Sequence, residues 1–168
     1  MATTVCGIDP GLALTGYAVL APDGDRHRVV DAGVCRFDES LPLATRLADV
    51  DRDVSAILKE HHPDVIAVEE LYAHYKHPRT AILMGHARGV ILLAGARLGI
   101  VVRSYSATRV KRYLTGNGRA TKDQVQRAIR VTLNLKETPE PPDVADALAI
   151  AICCAGDVQS RRHLEVTP

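Results

Sequence analysis

Apolar and polar positions change period several times along this chain, and each change marks an element. Residues 3–9 and 14–20 are β-type runs separated by Pro10-Gly11. After the turn Pro22-Asp23-Gly24 a third run covers 27–37, so the chain opens as an antiparallel meander. Leu43, Leu47, Val50, Val54, Ile57 and Leu58 then recur at helical spacing, which predicts a helix that covers the sheet until Pro63 ends it. Residues 64–69, with Val65-Ile66-Ala67-Val68 at their centre, are short and apolar enough to predict a buried central strand. A second helix, 79–98, is apolar around much of its circumference and carries Gly85, Gly89 and Gly95, residues that cost helix propensity and permit close approach of another backbone. Such a helix calls for a second partner, with Met84, Ile91 and Leu92 among its candidate exposed contacts. Residues 100–105 predict a fifth strand, 107–114 a short helix, and 121–133 an amphipathic helix capped by Thr121. The intervening Thr115-Gly116-Asn117-Gly118-Arg119 has the composition of tight turns. Pro139, Pro141 and Pro142 precede a last helix expected over 143–155, and 156–168, without apolar period, reads as a flexible tail.

This order predicts an α/β domain over residues 1–156: a five-stranded mixed sheet, three strands antiparallel and then two parallel, flanked by helices. The 168 residues, 46% hydrophobic and 24% charged, suit one soluble globular domain, and neither a repeat nor a long linker divides them. With no Trp and one Phe, the core must be filled by aliphatic side chains. No apolar run reaches the roughly 18 residues of a membrane span, and MATTVCGID lacks the pattern of a secretory signal, so a cytoplasmic protein is expected. Cys6, Cys35, Cys153 and Cys154 have neither zinc-knuckle nor C-x-x-C spacing and are expected to be reduced and mostly buried.

Charge is unevenly distributed. Residues 1–70 carry 6 basic and 13 acidic side chains, whereas residues 71–168 carry 15 basic and 7 acidic. Arg103, Arg109, Lys111, Arg112, Arg119, Lys122, Arg127 and Arg130 stand against the single acid Asp123 in their stretch, a footprint suited to a polyanion. Solvated helix faces also collect basic residues, so the cluster alone does not decide for nucleic acid.

Asp9 ends the first strand and Glu69 the fourth. The fourth strand follows a helical crossover, so pairing it parallel to the first would bring both carboxylates to the edge where open α/β sheets bind ligands. Asp143 and Asp146, three residues apart at the start of the last helix, share one face. Four bare carboxylates in a half-buried cleft repel one another unless a hard cation sits among them, and oxygen-only ligands select Mg²⁺ or Mn²⁺. Taken singly, each acid also fits a turn former or a helix-dipole partner, so the expectation rests on their convergence.

GIDPGLALTGYAV, DVIAVEELY, LMGHARGVILLA, TGNGRATKDQVQ and PPDVADALAIAICCA, in this order and over nearly the whole chain to about Ala155, resemble the RuvC family of Holliday junction resolvases. The resemblance implies a ribonuclease-H-like fold, a homodimer acting on four-way junction DNA, and a branch-migration helicase complex of RuvA and RuvB as partner. It places the catalytic and metal-binding acids on Asp9, Glu69, Asp143 and Asp146. Some relatives have His at the position of Asp143. By likeness to related sites, two Mg²⁺ or Mn²⁺ ions would be held per active site: Asp9 bridging both, Glu69 on one, Asp143 and Asp146 on the other. No Ser, Cys or His nucleophile is then required, and Ser104 and Ser106 are expected to be helix-capping residues. Tyr72 takes the place of an aromatic that lies by the junction centre in the family, while packing beneath its loop is the alternative. Tyr75, Lys76 and Arg79 add aromatic and basic groups suited to base stacking beside phosphate contacts. Lys111 and Lys122 match basic positions of the family, with Arg112, Asn117 and Arg119 as neighbouring DNA-binding candidates. Rival readings are a ribonuclease-H-like nuclease acting on ribosomal RNA precursor, which would lack the TGNGRATKDQVQ block, and a catalytically silent junction-binding protein. A two-domain sugar kinase or actin-like ATPase needs a longer chain.

Overall fold

The computed structural model describes residues 3–71 and 78–166, with side chains as far as Ser160. Its elements are β1 (Val5–Asp9), β2 (Leu14–Asp23), β3 (Arg26–Arg36), α1 (Leu43–His61), β4 (Val65–Glu69), α2 (Pro78–Arg97), β5 (Val101–Tyr105), α3 (Ala107–Thr115), α4 (Lys122–Thr132) and α5 (Pro142–Val166). The strands form one sheet in the order β3-β2-β1-β4-β5. The first three are antiparallel, and β4 lies parallel to both β1 and β5, as the element order predicted. The β2–β3 hairpin is longer than the apolar runs suggested because a two-residue turn closes it. Gly24 takes φ 59 there, a conformation glycine adopts without a Cβ penalty.

Alternation along the central strands divides the core in two. Cys6, Ile8, Ile66 and Val68 face α1 and α2, where they pack with Val50, Val54, Leu58 and Ile91. Val5, Ala67, Ala18 and Leu20 face the other way, onto Ala147, Leu148 and Ala151 of α5. Ile8, Leu20, Leu58, Ile66, Ile91 and Leu148 are almost wholly buried, each contributing roughly 1.5–3 kcal/mol of transfer free energy. All four cysteines are free and buried. Among the described residues, no helix is long and apolar enough to cross a membrane.

Helix α5 lies directly against β1 and β2 because two glycines leave room for it. A Cβ on Gly7 would stand 2.3 Å from the Ala147 carbonyl oxygen, and one on Gly16 would stand 2.2 Å from that of Asp143.

Three expectations require correction. Helix α5 does not end at Ala155 but continues to Val166. At Gly156 the missing side chain makes room for the Tyr113 ring of α3, and Asp157 beyond it pairs with Arg109. On α2, Ile91 is wholly buried and Met84 and Leu92 are partly so, because their side of the helix lies on the sheet. The exposed apolar residues are Ile82 and Leu93, on a ridge with Gly85, His86 and Gly89. Ser106 does cap α3, accepting from the Arg109 N–H, but Ser104 lies within β5 and accepts from Arg88 instead.

Candidate active site

Asp9 and Glu69 are the last residues of adjacent parallel strands, one step beyond the paired Ile8 and Val68. Since Ile8 and Val68 point towards α1 and α2, alternation turns both carboxylates to the α5 face. Thr15, fully buried, shapes the turn after Asp9: its hydroxyl donates to the Gly11 carbonyl at 2.7 Å and accepts from the Gly11 N–H at 3.2 Å. Beyond Glu69, the Glu70 N–H donates to the Tyr105 carbonyl at 2.9 Å and keeps the end of β4 beside β5. The first turn of α5, seated over Gly16, completes the arrangement with Asp143 and Asp146. Gly16 is also the residue paired with Asp9 across β1 and β2, so the open space beside Asp9 is the space α5 occupies.

Electrostatics confirm the crowding. Burial, followed by the charges of Glu69, Asp146 and Asp143, pushes the Asp9 carboxyl up to about 8, and Asp9 shares a hydrogen bond with Glu69. Burial also raises Glu69, while the bond to Asp9 and the nearby Lys111 pull it back. Asp146 is raised by desolvation and by Asp143, with Lys122 and Lys111 opposing. Such crowding of like charge is relieved when positive charge sits among the acids. Among the described residues no three acidic, imidazole or thiol groups stand ready-made as an ion cage. The oxygen-only donor set nevertheless fits a hard divalent ion, which would replace the shared proton.

The two lysines belong to the same place. A cleft of about 250 Å³ is lined by Glu69 and Asp146 together with Lys111 of α3 and Lys122 of α4, over a floor that includes Val110 and Ile150. Several contacts aim them. Ser106 caps α3, and α3 is clamped to α5 by the Arg109–Asp157 ion pair; Thr121 and Gln124 form a reciprocal capping box at the start of α4. The first turn of α4 therefore presents Lys122 to the acids, and Lys111 of α3 lines the same cleft.

The remaining candidates separate into groups. Arg112, Asn117 and Arg119 are exposed and lie outside the lining of the cleft. The Asn117 side-chain carbonyl accepts from the Arg119 N–H at 2.9 Å, so this residue also builds its own turn. Arg79 is exposed at the start of α2, and Tyr72, Tyr75 and Lys76 lie outside the described residues. The sequence reading missed Arg88, whose guanidinium reaches the Glu69 carbonyl, and Gln126, which lines the cleft. Arg88 could have been noticed as the charge in the middle of a mostly apolar helix whose other arginines, Arg79 and Arg97, stand at its ends.

A mixed sheet of this order, with acids at the ends of its two central parallel strands and a helix bringing further acids across them, defines a ribonuclease-H-like protein. Residues 5–154 match the family model described as crossover junction endodeoxyribonuclease RuvC. Curated relatives of that name include the protein of Rhodopirellula baltica, 51% identical over 90% of this chain and 85% of its own. That of Desulforamulus reducens is 46% identical over 90% and 92%. The solved structure of Thermus thermophilus RuvC superposes with a TM-score of 0.87 at 34% identity, covering 94% of this chain and 96% of that one. The same protein in complex with Holliday junction substrate gives 0.85 at 32% identity, with the same coverage. The chain belongs to the RuvC family.

Proposed function

We infer that this protein is a structure-specific endonuclease that resolves four-way DNA junctions by paired, metal-dependent hydrolysis of phosphodiester bonds. The observation that carries the reading is the gathering of Glu69 and Asp146 with Lys111 and Lys122 around one cleft, with Asp9 beside Glu69, in a chain of this family. The RuvC relative solved with a Holliday junction supports that substrate. A ribosomal RNA nuclease or a silent binding protein is not favoured, since the family match spans the whole domain and all four acids are retained.

Asp9, Glu69, Asp143 and Asp146 would hold two Mg²⁺ or Mn²⁺ ions, which when bound would supply a water nucleophile at neutral pH and charge for the leaving 3′ oxygen. The protein's own contribution is placement. Asp9 and Glu69 stand on rigid strand ends, and Asp143 and Asp146 on the first turn of a buried helix, so the oxygens converge without a large ordering cost at the time of reaction. Lys111 and Lys122 set fixed positive charge beside the phosphate, where charge grows in the transition state. Arg79, Arg112, Asn117 and Arg119, with Lys76, contact the junction chiefly through phosphate, while Tyr72, by the junction centre, and Tyr75 stack on unpaired bases.

Two such sites are required for paired nicks, and the exposed ridge of α2 provides for a homodimer. Ile82, Gly85, Gly89 and Leu93 lie on one face, and nothing stands within 4 Å of a Cβ placed on either glycine, so two copies of the helix can cross closely. A cytoplasmic protein working with a branch-migration complex of RuvA and RuvB follows from the same family reading.

The test is cleavage of four-way, Y-shaped and linear DNA with Mg²⁺ or Mn²⁺ by wild type, Glu69→Gln, Asp146→Asn and Asp143→Asn. Wild type is expected to cut the four-way junction in preference. Glu69→Gln and Asp146→Asn should lose cleavage yet retain junction binding, and Asp143→Asn should lose less. Near wild-type cleavage by Glu69→Gln or Asp146→Asn would remove that residue from the site.

A further inference from the structure

We propose that Arg88 is a positioning residue for Glu69. Its guanidinium crosses from α2 to the carboxyl ends of two strands: Nε donates to the Glu69 carbonyl oxygen at 3.0 Å, and Nη2 donates to Ser104 Oγ of β5 at 2.7 Å. Glu69 is the terminal residue of β4, where ladder pairing runs out and a strand tends to fray. The forked guanidinium bridges β4 and β5 at that point, beside the Glu70 N–H bond to the Tyr105 carbonyl. It grips the backbone from the α2 face of the sheet, while the Glu69 carboxyl projects to the α5 face towards Asp9. Movement of the backbone at this residue would swing the carboxyl directly, since only its own side-chain bonds intervene.

The choice of arginine follows from the geometry. Two acceptors on neighbouring strands are met by two nitrogens of one planar group, which fixes the spacing between the strands; a single ammonium has no such rigid fork. Arg88 is also held firmly at its base, between fully buried Ala87 on one side and the turn carrying fully buried Ile91 on the other. Gly89, next in the chain, lies on the ridge proposed to meet a second copy. Seating of that copy would therefore bear on the helix that holds Glu69 in place. The inference rests on the reading of Glu69 as a catalytic carboxylate.

The experiment compares wild type, Arg88→Ala, Arg88→Lys, Ser104→Ala and Glu69→Gln as full chains. Three quantities are read: single-turnover cleavage of a four-way junction at saturating protein with Mg²⁺, junction affinity in EDTA, and hydrogen exchange at the Glu70 amide without DNA. Arg88→Ala should cleave roughly 10- to 100-fold more slowly, the scale expected when a reacting group is misplaced by about 1 Å. Its junction affinity should stay within about threefold of wild type. Exchange at Glu70 should accelerate while the amides of β1 stay protected. Arg88→Lys should recover part of the rate by keeping one donor, and Ser104→Ala should lose less than Arg88→Ala.

Wild-type cleavage or unchanged Glu70 exchange in Arg88→Ala, with Glu69→Gln inactive, would overturn the inference. An active Glu69→Gln would overturn the reading of the site instead. If Arg88→Ala fails to fold, Arg88→Lys and Ser104→Ala decide: wild-type rate and exchange in both would equally overturn it.

Discussion

Replacing Asp9 by Asn should abolish cleavage and at the same time make the metal-free protein more stable. The carboxyl is pushed up to about 8 from 3.8 by burial and by three neighbouring acids. Its folded-state value therefore lies above the unfolded one, the folded chain binds the proton more tightly, and stability falls as pH rises from about 4 to about 8. Above that range the full penalty of an ionised Asp9 is present. At about 1.36 kcal/mol for each pH unit between the two values, the ceiling is about 5–6 kcal/mol. Rearrangement of the Glu69 side chain, which shares the hydrogen bond, reduces the expected gain to about 1–3 kcal/mol. Asn matches the shape of the protonated acid, donates to Glu69 and never ionises. For a chain of this size the gain corresponds to a rise in Tm of about 2–4 °C per kcal/mol. The assay is thermal unfolding followed by circular dichroism in EDTA at acidic and alkaline pH, then again with Mg²⁺. The advantage of Asp9→Asn should be more than twice as large at about pH 8.5 as at about pH 5.5. It should shrink with Mg²⁺, which stabilises only the chain that binds it. If Asp9→Asn melts at or below wild type at the alkaline pH in EDTA, the acids are not in the strained, cation-seeking state described above.

Other consequences are open to direct measurement. Lys111→Ala and Lys122→Ala should each flatten the salt dependence of junction affinity by about one unit of slope. At saturating protein each should cut about tenfold or more slowly, since both lysines line the cleft with Glu69 and Asp146; wild-type cutting would place them outside the reaction. Leu93→Glu puts a charge on the exposed α2 ridge and should convert a dimer to a monomer by light scattering, whereas persistence of the dimer would exclude that ridge. Gly16→Ala forces the start of α5 away from β2 and should cost about 1–3 kcal/mol together with cleavage. Gly24→Ala, at the open hairpin turn, should cost about 1 kcal/mol and leave cleavage intact. Equal cleavage by the two glycine variants would show that the close seat of α5 does not set the site.

By itself the sequence determined the order and kind of the elements, because hydrophobic period, turn residues and caps are local signals. The Thr121 cap and the Asp9 and Glu69 strand ends could be read from a few adjacent residues each. The placement of the four candidate acids at element ends was legible in the same way, and the parallel crossover rule brings the two strand ends together. What only the tertiary structure decided were relations between distant residues. Gly7 and Gly16 appear in the sequence merely as strand residues, and their use emerges only where α5 comes to rest upon them. Ile91 and Ile82 are the same residue type on the same helix, yet one is fully buried and the other exposed, since the sheet covers only one side of α2. Residues 156–166 lack an apolar period, yet the helix runs on where the Tyr113 ring fills the space at Gly156 and Asp157 pairs with Arg109. Arg88 and Ser104 are sixteen residues apart, and only the meeting of α2 with the ends of β4 and β5 joins them at Glu69. Local energies choose the elements, whereas the docking of one surface on another chooses which side chains meet, and that choice is made by the whole core at once.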